Sequence, residues 1–411
     1  MRACSRITST EVTNPAGRNK SKIGERSASA FGDVLTSCPD NNVKNSYTRF
    51  AACFFSTYEY RAIDRNGQLV GEAAFEMYHQ VKLEQKSRKF KQQVKIYAIK
   101  VDPKLANITL DVAMNCRDAC TSQSEQWNAS LTWTPGDAHT ATATREHSWN
   151  STSATAAWDP IQLDWVYQGY SPIAKPSAVK VTADDALVQC DNYAITGSDG
   201  CAFGTYRPTY LFNSKKYPAA AAHAWLIQES LPSHPGSKKY NKPMNFLPNK
   251  DKGALNQFKR DTQKNRDVIC PTSYARHPDT TLSHDLVESG GKDVASCDEY
   301  AFAGTYQSAG MPAVMNGRNP VTNGDECVQT VAKRVSPGTW KLVDDERYRL
   351  PDFTEKCGRS SMSQWQNGGS MNRFNGFAQY FRLQDADEYW VEVPGFSHCA
   401  AAAPLVQCTM N

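Results

Sequence analysis

Apolar and polar residues alternate along most of the first half of the chain. Val94, Ile96 and Ala98 interleave with Lys95, Tyr97 and Ile99, and residues 109–113 and 131–134 continue the theme. A two-residue period puts one face of a strand in a core and the other in solvent. Between the runs 58–64 and 69–75 stands Asn66-Gly67, a hairpin signal because both residues tolerate positive φ. Residues 31–185 are therefore predicted to form an antiparallel all-β domain of sandwich type. Residues 1–30, rich in Ser, Thr, Asn and Arg, read as a flexible leader. Residues 128–158 are dominated by Ser, Thr and Ala and read as loop or loosely ordered strand.

The pattern changes after Ser171-Pro172 and Lys175-Pro176. Residues 219–229 and 256–269 read as helices, while Tyr389-Trp-Val-Glu-Val alternates like a strand. Residues 186–411 are accordingly expected to form a second, α+β domain. No repeat of fixed period is present.

Composition adds a compartment. The chain of 411 residues carries 13 cysteines, scattered rather than paired at zinc-finger spacing, which points to disulfides in an oxidising environment. Cys38 with Cys53 and Cys116 with Cys120 are close enough in sequence to close local loops, Cys190 and Cys201 bracket a Gly/Asp turn, and the end of the chain, with Cys399 and Cys408, reads as a disulfide-tied tail. Sequence does not fix the connectivity. The odd count leaves one thiol over, and Cys4 is the candidate. Sequons at Asn19, Asn107, Asn128 and Asn150 agree with a secreted glycoprotein. Residues 1–30 contain no apolar signal core and nothing approaches a membrane span, so secretion is inferred from the cysteines. No stable protein partner is expected.

A net charge of +4 is too mild to announce nucleic-acid binding, but local charge is denser. Lys82, Lys86, Arg88, Lys89, Lys91, Lys95 and Lys100 make one stripe. Lys250, Lys252, Lys259, Arg260, Lys264 and Arg266 make another. Such stripes either solvate a face or neutralise phosphates.

Candidate chemistry concentrates at Cys297-Asp-Glu-Tyr-Ala-Phe-Ala-Gly-Thr-Tyr306. Asp298 and Glu299 are adjacent carboxylates, able to hold a hard cation and accept a proton. The same residues admit a structural reading, since Ser296 and Glu299 have capping-box spacing and Asp298 would then sit in a first helical turn. No Gly-x-Ser-x-Gly elbow, phosphate-binding glycine loop or His-Glu-x-x-His is present.

The acidic run resembles the signature of the NucA/NucB family of secreted deoxyribonucleases, whose multi-cysteine members carry Cys-Asp-Glu-(Tyr/Phe)-Pro-Phe-Ala-Ser-Thr. Ala301 and Gly304 replace its proline and serine. A second block, Met371-Asn-Arg-Phe-Asn-Gly376, resembles the family's Asp-Asn-Arg-x-x-Gly, with Met371 in place of aspartate. His223, in Ala-Ala-His-Ala-Trp-Leu-Ile, resembles the family's helical histidine. The resemblance spans roughly residues 186–395. It implies a secreted endonuclease that hydrolyses DNA with a divalent metal, Mg²⁺ or Mn²⁺. Asp298 and Asn372 would hold the metal, with Glu299 as second ligand or general base and His223 as proton shuttle. Arg373, Asn372, Lys259 and Arg266 would bind substrate, and Cys270 and Cys297 would brace the acidic motif. The rival expectation is a non-catalytic cell-wall or glycan binder that uses the aromatic-rich β half, or a nuclease that has lost its chemistry.

Overall fold

Two antiparallel sheets, packed face to face, make up the first of two structural units. The computed structural model describes residues 2–9, 46–150, 158–182, 187–195, 197–249, 258–274, 276, 294–336, 339–396, 399 and 409–410. The chain divides into residues 1–206 and 207–411.

In the first unit the larger sheet contains β1 (Arg2–Ser9), β2 (Ser46–Tyr47), β3 (Ala51–Ile63), β4 (Leu69–Lys82) and β5 (Lys89–Val101). The smaller begins with β6 (Ile108–Asp118), after which β7 (Cys120–Ser122) and β8 (Gln126–Trp127) return to the larger and β9 (Thr132–Trp133) to the smaller. β10 (Thr140–Trp149) belongs to the larger sheet, and β11 (Asp159–Tyr170), β12 (Val179–Thr182), β13 (Val188–Ile195) and β14 (Ser198–Phe203) complete the smaller. The orders are β1-β3-β4-β5-β10-β7 and β14-β13-β11-β6-β9. Inward residues of both sheets share one core. Phe75 meets Trp133 at 5.0 Å and Phe54 meets Trp165 at 6.2 Å between ring centroids. The Asn66-Gly67 turn forms as its residues require: Gly67 has φ +83, and the Asp64 carboxylate accepts from the Asn66 and Gln68 N–H groups.

Three expectations for this half are corrected. Residues 2–9 of the expected leader form β1, paired along its length with β3; the rest of that leader lies outside the described residues. Residues 140–149 are a ten-residue strand beside β5, because Ala141 and Ala143 alternate inward against outward threonines. The boundary falls after Tyr206 rather than 185, since β13 and β14 extend the smaller sheet and carry the Cys190–Cys201 disulfide.

The second unit holds a sheet ordered β17 (Ala295–Tyr300), β20 (Gly358–Ser363), β18 (Val328–Ser336), β19 (Thr339–Asp344) and β22 (Thr409–Met410). β18 and β20 run parallel and the other neighbours antiparallel. A small sheet joins β15 (Thr209–Leu211), β21 (Glu388–Glu392) and β16 (Met244–Asn245). Helix α1 (Pro218–Ser230) starts with proline in its first turn, where a missing N–H costs nothing. Its alanines are buried and pack with Tyr300, Val328, Leu342 and Met362. Helix α2 (Thr262–Ile269) starts later than the predicted 256. Its N-cap Asp261 accepts from the Gln263 N–H.

The capping box expected at Ser296 and Glu299 is not formed. These residues lie inside β17, paired from Ala295 to Tyr300 with β20. Tertiary pairing overrides the local signal there. The Cys270–Cys297 disulfide ties this strand to the end of α2, and Cys327–Cys357 joins the loops before β18 and β20. Cys116–Cys120 is also bonded, Cys53 and Cys399 are in disulfides, and Cys4 is free and exposed. Cys38 and Cys408 lie outside the described residues.

Candidate functional site

Strand alternation sends Asp298 and Glu299 to opposite faces of β17. Asp298 faces α1, where His223 Nδ1 stands 2.8 Å from its Oδ2. The ring N–H donates to the carboxylate. His223 is fully buried, whereas the Asp298 side chain is 13% exposed. His223 Nε2 is buried without a hydrogen-bond partner. It lies over Gly358, where an added Cβ would come within 2.5 Å of it. The imidazole is thus held from both sides and turns no nitrogen to solvent. The residue expected to be a proton shuttle therefore has one nitrogen on Asp298 and the other buried.

Glu299 faces the other way, toward α2. Arg266 Nη1 donates to Glu299 Oε2 at 2.9 Å, and Arg266 Nη2 donates to the Cys297 carbonyl. Burial pushes the Glu299 pKa up to about 7, against the opposing pull of the Arg266 guanidinium, and the neighbouring Asp298 charge adds to the rise. Desolvation outweighs the ion pair here, as it does for carboxylates taken out of water. Arg266, expected to bind substrate, makes these two bonds to the acidic strand. Asn367 braces the same strand, donating to Ser296 Oγ at 2.9 Å and to the Cys297 carbonyl at 2.7 Å.

The remaining expected residues make no hydrogen bond or ion pair with this pair among the described residues. Asn372 and Arg373 are exposed at the junction of the helices Gln364–Met371 and Phe374–Tyr380. Lys259 is exposed with φ +48. Among the described residues, no hydrogen bond or ion pair links these three to Asp298 or His223. Lys250 and Lys252 lie outside the described residues. In the first stripe several cations are matched: Lys89 pairs with Glu146 at 3.0 Å, Lys100 with Glu72 at 2.7 Å and Arg88 with Asp199. That is the solvated-face reading. Trp133, Trp165, Tyr58, Tyr60 and Tyr167 are core residues, which removes them from any sugar-stacking surface.

Two contributors, Gly358 and Asn367, carry no motif. Gly358 follows Cys357 in a strand that must pass under His223, and a glycine inside a strand is the usual mark of such a close approach.

The donor set fits a hard divalent cation through one carboxylate. Asp298 Oδ1 makes no hydrogen bond among the described residues and the side chain is partly exposed. Mg²⁺ is commonly held by one or two carboxylates, with water and substrate phosphates completing the shell. Glu299 cannot join from the opposite face. Among the described residues, Cys116, Cys120 and His147 also cluster with metal-ligand chemistry, but their two sulfurs are joined to each other.

No family model and no curated protein matches the chain. Among solved structures, the GAE domain of GGA2p from Saccharomyces cerevisiae aligns with 26% of this chain and 88% of its own, at 7% identity and a TM-score of 0.20.

Proposed function

We propose that the second unit is an α+β nuclease domain that hydrolyses phosphodiester bonds of DNA with a divalent metal, in a secreted, disulfide-stabilised protein. The observation that carries this reading is the 2.8 Å contact between His223 and Asp298, residues 75 positions apart in sequence. It joins the two sequence blocks whose resemblance to the NucA/NucB deoxyribonucleases is independent of each other. Four disulfides among the described residues suit an oxidising compartment, and no described helix is long and apolar enough to cross a membrane.

In this reading Asp298 is the reactive carboxylate. His223 donates to Oδ2 and leaves Oδ1, which has no hydrogen bond among the described residues, to ligate the metal or accept a proton from water. A bound Mg²⁺ or Mn²⁺ would polarise the phosphoryl oxygens and lower the pKa of water. His223 is a positioning residue, being buried away from substrate. Glu299 and Arg266 fix the strand from behind. Arg373 and Lys259, both exposed cations, meet phosphates along the strand of DNA.

The test is plasmid cleavage by the oxidised protein, with EDTA and with Mg²⁺ or Mn²⁺ restored. Cleavage that EDTA abolishes and metal restores is expected, and Asp298→Ala should lower it by at least a hundredfold, roughly the size of a general base or metal ligand. Undiminished cleavage by Asp298→Ala, or none by the wild type with any metal, overturns the proposal.

A further inference from the structure

The Cys116–Cys120 disulfide differs from the other three bonds between described cysteines. Its partners are 4 positions apart in sequence, against 11, 27 and 30 for the others. Neither of its cysteines is buried, whereas those of the other three bonds are 0–8% exposed. Cross-linking so short a loop removes little entropy from the unfolded chain, and an exposed disulfide is open to attack by a thiolate. Of the four, this bond is the first to yield to a reductant.

His147 stands beside it. The two sulfurs and a ring nitrogen of His147 all lie within 4.8 Å of one another. Tetrahedral zinc sets its sulfur and nitrogen ligands about 3.5–3.8 Å apart, so small side-chain movements bring the three atoms onto one ion once the S–S bond is open. Strand pairing holds them together: Cys120 lies opposite Trp149 and Ser122 opposite His147 in the β7–β10 ladder, and Cys116 ends the turn from β6. The imidazole is also in the right protonation state. Gln92 Nε2 donates to the Asp164 carbonyl at 3.1 Å, which turns Gln92 Oε1 toward His147 Nε2 at 2.8 Å. An amide oxygen only accepts, so the ring proton sits on Nε2. Nδ1 keeps its lone pair and accepts from the hydroxyl of the exposed Ser122 at 2.8 Å. A metal-bound histidine has this arrangement, one nitrogen donating to a fixed acceptor and the other deprotonated.

We propose that Cys116, Cys120 and His147 form a zinc site gated by the disulfide between its two cysteines. A dithiol reductant opens it: the Cys116–Cys120 S–S bond takes up two electrons and two protons, and the dithiol becomes a disulfide. Zn²⁺ then displaces both thiol protons and is held by two thiolates and His147 Nδ1, with Ser122 swung aside and water as the fourth ligand. Two sulfurs and an imidazole are a donor set that favours zinc over Mg²⁺ or Ca²⁺. In the oxidised chain the sulfurs are joined to each other and hold no ion. Every residue of the site belongs to the first unit, so it stands whether or not the second unit cuts DNA.

The test uses the full chain with Cys4→Ser, which removes the free exposed thiol. Dithiothreitol is added in small excess without oxygen, and the released thiols are alkylated and mapped by peptide mass. Cys116 and Cys120 should be released first. Once the reductant is removed, the reduced chain should bind a single Zn²⁺ and release about two protons with it. Co²⁺ in its place should show thiolate charge transfer and the visible bands of tetrahedral cobalt. The oxidised chain should bind neither ion. Cys120→Ser and His147→Gln should each weaken zinc by roughly a hundredfold or more, whereas Ser122→Ala should bind at least as tightly as the parent. Release of another cysteine pair before this one overturns the proposal, as does a reduced chain that takes up no zinc. So does equal uptake by the oxidised chain, or undiminished binding by Cys120→Ser.

Discussion

An imidazole with one nitrogen on a carboxylate and the other pressed against a backbone can face only one way, and Gly358 is what permits it. An added Cβ there would lie 2.5 Å from His223 Nε2 and 2.4 Å from Ile227 Cγ1. Neither side chain has room to retreat in a buried helix face, so Gly358→Ala should cost about 1–3 kcal/mol of stability by overpacking. It should also turn His223 away from Asp298. The proposed cleavage activity is then expected to drop roughly tenfold to a hundredfold, the value of a hydrogen bond to a charged group. Comparing cleavage rates with a thermal melt separates the two effects, and an unchanged rate would show that the imidazole does not set the carboxylate. Asp298 and His223 were readable in the sequence, because each stands in a recognisable run. Gly358 was not, because its importance is a distance between two segments 135 positions apart. Asn372 and Arg373 stood in an equally recognisable block, yet they lie exposed, and among the described residues no hydrogen bond or ion pair links them to the acid.

Elements were legible where the local pattern and the packing agree. α1 is alanine-rich and buried throughout, so propensity and environment point the same way. β17 shows the opposite case. Its Ser296 and Glu299 have the spacing of a helix cap, yet the same pattern at Asn323 and Glu326 is the one that forms a capping box. The difference is what each segment meets. β17 is pinned by β20 on one side and by the Cys270–Cys297 bond at its middle, whereas Asn323 opens a turn that lies outside any strand. Arg359, buried in β20, adds to the same anchorage by donating to Gln329, to the Ile269 carbonyl and to Asp325, with Tyr274 4.4 Å from its guanidinium. The disulfide spans 27 positions, and a loop of that size is worth about 3–4 kcal/mol in the unfolded chain. Replacing both Cys270 and Cys297 by serine should lower the melting temperature of the second unit by roughly 10 °C. Differential scanning calorimetry of the full chain reads this directly, and an unchanged melt would deny the bond a role in holding the acidic strand.

At the scale of the molecule, the first unit carries two histidines that cannot accept protons where they are. Burial pushes His79 down to about 3 and His147 down to about 4. His79 shares a hydrogen bond with the Tyr167 hydroxyl at 2.6 Å, and His147 contacts Gln92 Oε1 at 2.8 Å and Ser122 Oγ at 2.8 Å. An unfolded histidine titrates near 6.5. Between that value and 3 to 4 the unfolded chain therefore binds protons that the folded one refuses. Their stabilising contribution is whole above about pH 6.5 and is lost as pH falls toward 4, on the order of 3–5 kcal/mol for each group. Urea denaturation at pH 7 and pH 4.5 should show the first unit weakening on acidification. A midpoint that stays level or rises would contradict the buried neutral state of both rings.

The pairing of β1 with β3 has a consequence for self-association. β3 contains thirteen residues, and its run Phe54-Phe-Ser-Thr-Tyr-Glu-Tyr-Arg-Ala-Ile63 is rich in aromatic and β-branched side chains. Left open along one side, such a strand is a template on which a second copy can lay its own. β1 covers it from Ser56 to Ile63 and presents Arg2 and Arg6 at the new rim, charges of the kind that discourage further growth of a sheet. Eight residues that looked like a loose leader thus act as a gatekeeper between a single folded copy and a growing stack.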